Sequence, residues 1–348
     1  MDSDLLLTFA IWGNLAAFGS ATAMLLFALG ARWRRQQDAA VHLAVEETWK
    51  PVLFQRLAGN PAALPPLRGR QAWIAFTRLW VYYRNSLRGT SEDVLNHLAE
   101  EAGLREMARR MLHWRNMDAR MLGVAALGHL GDEASVPLLS ALSHHRHITL
   151  SLYAAKALAE IDPRGMAPEL VTMALERKDW PPPKVATILN HLDKGVVCRE
   201  LASAAEIRPA SELANLVRLV HAVQCPQSDE IARSLLARYE DSEVVIAALG
   251  LLARVESLSH LYALLLHENW AVRVQAVAAL GRILSPRHLD FLLPMLADVN
   301  WWVRYRAAQA VANVLHNDIA RLAALSQKQQ DRYARDILNQ VVAELKAA

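Results

Sequence analysis

Cysteine is nearly absent. Cys198 and Cys225 are the only two, in no CxxC and at no paired spacing, so neither a disulfide framework nor a thiolate zinc site is expected. Also missing is any alternation of apolar and polar residues that reads as a strand. Charge of one sign is missing too: 38 basic and 35 acidic residues are well mixed, for a formal net charge of +3, which gives no nucleic-acid surface. There is no glycine-rich phosphate loop, nucleophile elbow, HExxH or paired-carboxylate motif, so the known catalytic signatures give no reason to read an enzyme.

One absence is local. From Leu5 to Ala31 no residue is charged. At 1.5 Å rise per residue this run reaches about 40 Å as a helix, enough for a tilted bilayer crossing. Asp2 and Asp4 precede it, and Arg32, Arg34 and Arg35 follow it. A cleavable signal carries its positive charge first, which is the reverse order. The positive-inside rule then predicts a single-pass helix with the N-terminus periplasmic and the C-terminal domain cytoplasmic. Small residues four apart (Gly13 and Ala17, Ala16 and Ser20, Gly19 and Ala23) with Asn14 among them predict a face that packs on another membrane helix.

What the chain does have is a repeat. "ENWAVRVQAVAALGRIL" (268–284) and "DVNWWVRYRAAQAVANVL" (298–315) superpose with a shift of 31 residues. The apolar quartet i, i+3, i+4, i+7 recurs from Gly123, Ala154, Val185, Leu216, Val245, Ala276 and Ala307, with steps of 31 residues except one of 29. A second family of helical segments lies between these, with Pro137 and Pro168 fitted to first turns. Helix–turn–helix units that cannot bury their apolar faces alone must stack.

These residues resemble bacterial HEAT-like repeats of the short class first noted in phycobilin lyases. The resemblance rests on "VRVQAVAALGRI" (Val272–Ile283), with weaker copies at Arg120–Leu130 and Val303–Val314, and spans about residues 104–315. It implies an all-α fold, a HEAT-like α-solenoid forming a right-handed superhelix of helical hairpins after the N-terminal transmembrane helix. The expected divisions are an anchor (1–35), a helical linker or N-terminal cap (36–103), an array of about seven units (104–315) and C-terminal capping helices (316–348). Within 36–103, Thr90 and Asp93 read as a capping box.

Candidate residues follow from the lattice. His144, His145 and His147 cluster in a turn, and His144 and His147 have spacing that suits a metal, yet no acid or thiol accompanies them. Two places past the i+4 member of each quartet stand His129, Glu160, His191, Ala222, Leu251, Arg282 and Asn313, a column suited to a hydrogen-bonded spine or to acid–base pairing. Arg120, Arg273 and Arg304 share one place, with Asp118, Glu268 and Asp298 in nearby turns to pair with them; a phosphate- or carboxylate-binding row is the sharper reading. Trp270 and Trp301 are expected as wedges between units. The concave, partner-binding face is expected at Met121, Lys156, Thr187, Arg218, Val274, Tyr305 and Gln309, with Trp302 exposed beside it.

Extended faces of this kind bind proteins. The expected function is a membrane-anchored scaffold or adaptor, not an enzyme, with no cofactor and no metal. The resemblance points to an integral inner-membrane partner such as an envelope polysaccharide synthase or glycosyltransferase. The alternative is a HEAT-like ligand binder or enzyme, akin to bilin lyases or to DNA glycosylases; the near-neutral charge and the anchor speak against DNA.

Overall fold

The computed structural model describes residues 3–252 and 258–347; the side chains at 3–19, 21, 22, 31, 34, 35 and 258–260 lie outside that description. Every regular element among the described residues is a helix. The chain divides into two compact units, Met1–Ile161 and Asp162–Ala348.

The first unit begins with α1 (Ser3–Leu57), one helix of 55 residues that runs through Arg35, where the anchor is expected to end. Among the described residues no helix is long and apolar enough to cross a membrane. Most side chains of the expected span lie outside the description, among them those of Gly13, Asn14, Ala17 and Gly19 of its packing face; Ser20 and Ala23 are exposed. Met24, Leu25, Leu26, Phe27 and Leu29 are also exposed. Farther on, α1 packs on α2 (Gly69–Ser86) and α3 (Thr90–Glu101). Trp49 and Phe76 lie 4.2 Å apart between ring centroids, and buried Trp80 donates its Nε1–H to Leu95 O at 2.8 Å. The capping box expected at Thr90 does not form: Gly89 sits at the N-cap with φ 70°, and no side chain caps α3. α4 (Leu104–Met111), α5 (Met117–His129), α6 (Val136–Ser143) and α7 (Ile148–Ile161) complete the unit.

The second unit contains α8 (Ala167–Glu176), α9 (Pro182–Leu189), α10 (Lys194–Ile207), α11 (Ala210–Val223), α12 (Ser228–Arg238), α13 (Ser242–Leu249), α14 (Leu258–Leu264), α15 (Trp270–Ile283), α16 (Trp301–Val314), α17 (Ile319–Lys328) and α18 (Arg332–Ala347). The repeat quartets lie on or at the ends of α5, α7, α9, α11, α13, α15 and α16, the inner helices. All their members are buried except Ile161 and Ile283, which are half-buried. One outer segment departs from the pattern. Pro286 and Pro294 remove backbone donors, and the chain from 286 to 297 runs in 3₁₀ turns instead of an α-helix. α18 buries Ala334, Ile337, Leu338, Val341 and Val342 and packs on α16, closing the last apolar face.

The glycine of the Ala-Leu-Gly motif has a packing reason. A Cβ on Gly128 would stand 2.7 Å from Ala157 Cα, and one on Gly281 would stand 2.6 Å from Ala310 Cβ. Gly128 and Gly281 hold the same repeat position, and so do Ala157 and Ala310. The pairs α5–α7 and α15–α16 therefore touch through the same glycine–alanine contact.

The expectation against a disulfide is overturned. Cys198 on α10 pairs with Cys225, just past α11, with Cα atoms 5.5 Å apart. Both cysteines are buried. Their separation of 27 residues equals no step of the repeat, so the spacing hid the pairing: it joins an outer helix to the end of the next inner one.

Candidate functional site

Three inner helices, α5, α15 and α16, begin alike because Asn116, Asn269 and Asn300 cap them, accepting from the N–H of Ala119, Ala271 and Trp302. An arginine follows three residues into each of these helices. Arg273 Nη1 donates to His267 O at 2.8 Å and Glu268 O at 3.1 Å. Arg304 Nη1 does the same to Asp298 O and Val299 O, at 2.8 and 3.2 Å. Arg273 also grips Asp298 of the next repeat with Nε at 2.8 Å and Nη2 at 2.9 Å, a bidentate pair largely shielded from water. The arginine–acid contact expected between neighbours therefore exists at Arg273, while Arg304 lies over the Tyr333 ring at 5.0 Å.

The column two places past the i+4 members of the quartets joins neighbouring helices in two places. His129 Nδ1 meets Glu160 Oε2 at 3.0 Å, and Lys156 Nζ meets Glu160 Oε1 at 3.3 Å. Burial pushes the Glu160 carboxyl up, but the hydrogen bond from His129 and the charges of His129 and Lys156 outweigh it and hold the carboxyl below its ordinary value. His129 Nε2 is buried without a hydrogen-bond partner among the described residues, near the Trp80 ring. Arg282 reaches back one repeat: its Nη2 donates to Leu249 O at 3.0 Å and Leu252 O at 3.3 Å, capping the end of α13. Desolvation of the guanidinium head, then the Arg306 charge, lowers the pKa of Arg282. His191 instead turns to Thr187 O of its own helix. These contacts lock register and do not assemble an acid–base pair around an open pocket.

A third charged cluster escaped the sequence reading. Buried Asp132 follows α5 and receives Arg105 Nη1 and Arg109 Nε from α4, each at 2.9 Å, as well as the Ser135 hydroxyl. Burial pushes this carboxyl up, but the bonds from Arg109, Ser135 and Arg105 hold it well below the usual carboxylate range. Nothing in the repeat marks the cluster, because both arginines lie on a helix before the first full unit.

Open space lies along the inner helices of the second unit. A cleft of roughly 610 Å³ is lined by Arg218, His221, Glu243 and Ile246 and ends at Arg282. A second, of roughly 570 Å³, starts at Arg282 and continues past Arg306, Gln309 and Asn313 to Glu344. Of the residues expected on the binding face, Arg218 and Gln309 line these clefts, and Tyr305 lies beside them, its hydroxyl bonded to Glu344 Oε2 at 2.9 Å. Val274 is half-buried, and Thr187 is exposed with its hydroxyl on Pro183 O. Met121 and Lys156 belong to the first unit and are half-buried there.

Trp302 is 56% exposed. Trp270 and Trp301 are 45% and 39% exposed, so they are surface residues and not wedges; Trp301 stacks on Tyr305 at 5.1 Å. In the histidine cluster, His144 Nδ1 faces Ser140 O, His145 Nδ1 accepts the His147 N–H, and His147 Nδ1 accepts the Leu150 N–H. No metal-holding group of His, Cys, Asp or Glu occurs among the described residues.

The family model described as HEAT repeats matches twice, over residues 230–312 and 258–343. Residues 230–343 of the second unit thus match HEAT repeats. No curated protein matches the chain. Among solved structures, a crystal structure of an engineered protein is similar over 88% of this chain and 98% of its own, at 14% identity and a TM-score of 0.34.

Proposed function

We propose that the chain is a membrane-tethered scaffold that holds a partner protein against the inner helices of its HEAT-repeat unit. The observation that carries this reading is the pair of clefts meeting at Arg282. The apolar faces of these repeats are spent on stacking, yet the polar positions along the inner helices remain open. HEAT arrays serve as interaction surfaces, and the open positions here are chemically mixed, as a protein partner requires.

The tether is the uncharged run Leu5–Ala31, crossing the inner membrane of a bacterium once. Its flanking charges put the N-terminus in the periplasm and the units in the cytoplasm. The exposed apolar side chains Met24 to Leu29 support a lipid or helical neighbour for this stretch. The partner is an integral inner-membrane protein, of the envelope polysaccharide synthase or glycosyltransferase class that the resemblance implies. The role is non-enzymatic and needs no cofactor. Cys198 and Cys225, bonded to each other in the structure, would be held reduced by the thiol systems of the cytoplasm.

The test is purification of the tagged full chain from detergent-solubilised membranes, with mass spectrometry of whatever accompanies it. A stoichiometric membrane protein that is lost on Arg218→Glu with Gln309→Glu supports the reading. Retention of that companion by the double variant, or its absence from the wild type, refutes it.

A further inference from the structure

The turn before an inner helix is built the same way in different units. The residue three places before the helix start accepts the N–H of the residue two further on. His145 takes it from His147 at 3.0 Å, His267 from Asn269 at 3.0 Å, and Asp298 from Asn300 at 2.7 Å. Arg273, three residues into the preceding inner helix, closes on Asp298 through two hydrogen bonds. For the step from α5 to α7 the corresponding arginine is Arg120 and the corresponding turn residue is His145. The acid has become a histidine.

The consequences are visible at both residues. Arg120 Nε–H is buried with no hydrogen-bond partner among the described residues. Burial, then the charge of Arg120, then those of Arg146 and His147, lower the pKa of His145, so the guanidinium faces a ring it repels. His145 Nδ1 spends its lone pair on the His147 N–H, which leaves the ring proton on Nε2, another donor. Arg120 Nε thus lacks the carboxylate that Arg273 has, and a buried unsatisfied donor is disfavoured.

We propose that Arg120 is a socket for a carboxylate carried on an acidic segment of a partner protein, doing from outside what Asp298 does for Arg273 from within the chain. The carboxylate choice follows from the internal copy, where a carboxylate fits this arginine in two-pronged fashion. The His145 ring, held by a single backbone hydrogen bond, turns aside to admit it. The site lies in the first unit, apart from the clefts, and relies on the scaffold reading only for the origin of the acidic segment.

The probe is a fluorescein-labelled hexaglutamate peptide, its anisotropy followed against the purified full chain in detergent. Wild type binds it saturably. Arg120→Gln weakens binding by about tenfold or more, as loss of one member of a hydrogen-bonded charge pair does. His145→Asp weakens it equally while raising Tm, because the internal acid now fills the socket, and that rise also reports folding. His145→Ala leaves the affinity intact. Arg218→Gln, in the clefts, leaves this binding unchanged, so failure here and failure of the scaffold reading are separable. The proposal is overturned by absence of saturable wild-type binding or by unchanged affinity in His145→Asp. Displacement of the peptide by millimolar inorganic phosphate also overturns it, since the site would then be one for small oxyanions.

Discussion

Gly281 gives the sharpest test of how these helices are spaced. A methyl group added there would lie 2.6 Å from Ala310 Cβ and 2.9 Å from Ala310 Cα. Carbon atoms in contact sit about 3.5–4.0 Å apart, so α15 and α16 must separate by about 1 Å to admit it. Overpacking of this size costs about 1–3 kcal/mol, and the better helix propensity of alanine returns about 1 kcal/mol. Gly281→Ala should therefore destabilise the contact by up to about 2 kcal/mol. Gly250 holds the same repeat position, but its added Cβ would meet only Ala247 O, at 3.1 Å. Gly250→Ala is expected to stay within about 1 kcal/mol of wild type.

The second half of the cycle removes the obstacle. Ala310→Gly is destabilising alone by about 1 kcal/mol through helix propensity. Combined with Gly281→Ala it gives back part of the strain, leaving the contact to Ala310 Cα, so the pair should fall short of additivity by about 1 kcal/mol. The chain has two units and will not unfold as one, so the readout is native-state hydrogen exchange at amides of α15 and α16. Equal protection in Gly281→Ala and Gly250→Ala, or strict additivity in the double variant, would refute the argument that this glycine exists to let the helices meet.

Two further outcomes are expected. Asp132 is held ionised below its ordinary value of 3.8, so its contribution is whole above that pH and is lost as pH falls through the folded-state value; Asp132→Asn should lower neutral-pH stability and flatten the acid limb of a Tm-versus-pH curve. A steep acid limb that survives in the variant would assign the effect to other carboxylates. Cys198 and Cys225 close a loop of 27 residues, for which chain entropy predicts about 3–4 kcal/mol of stabilisation when oxidised. In cells with the units on the cytoplasmic side, both thiols should take up maleimide after rapid denaturation without a reductant; protection until dithiothreitol is added would put the units in an oxidising compartment and reverse the proposed topology.

The repeat was legible because its carriers obey one rule: a quartet facing inward at helical spacing must be buried wherever it falls, and its 31-residue step survives loss of the motif's own letters around Val185 and Leu216. The arginine row was legible for the same reason, since Arg273 and Asp298 sit at fixed places in a lattice. What stayed hidden depends on contacts without a period. Asp132 draws its partners from α4, which carries none of the repeat quartets. The cysteine pair crosses between helix families. The prolines that turn residues 286–297 into 3₁₀ structure sit in a segment whose apolar spacing still reads as a helix. Trp270 and Trp301 looked like wedges because large aromatics at helix starts often fill gaps, but here alanines fill the interface and leave the indoles outside.

The contacts that fix register share a geometry that bears on where a partner can bind. Arg282 caps the end of α13 through the Leu249 carbonyl, 33 residues back. Arg238 on α12 donates to Ala205 O, also 33 residues back, near the end of α10. Asn96 Nδ2 reaches His129 O across the same separation, in the other direction. Each link joins a side chain to the C-terminal carbonyls of the corresponding or adjoining helix in the neighbouring repeat, where acceptors lack an intrahelical donor. The middle repeats, which lack the motif arginine, keep such a link through Arg238 and add the Cys198–Cys225 pair. Stacking thus consumes the apolar quartets, the helix ends and the arginines that reach them. The positions it leaves over are the mid-helix polar ones, Arg218, Arg306 and Gln309 among them, and a partner that binds without unstacking the repeats has to use those.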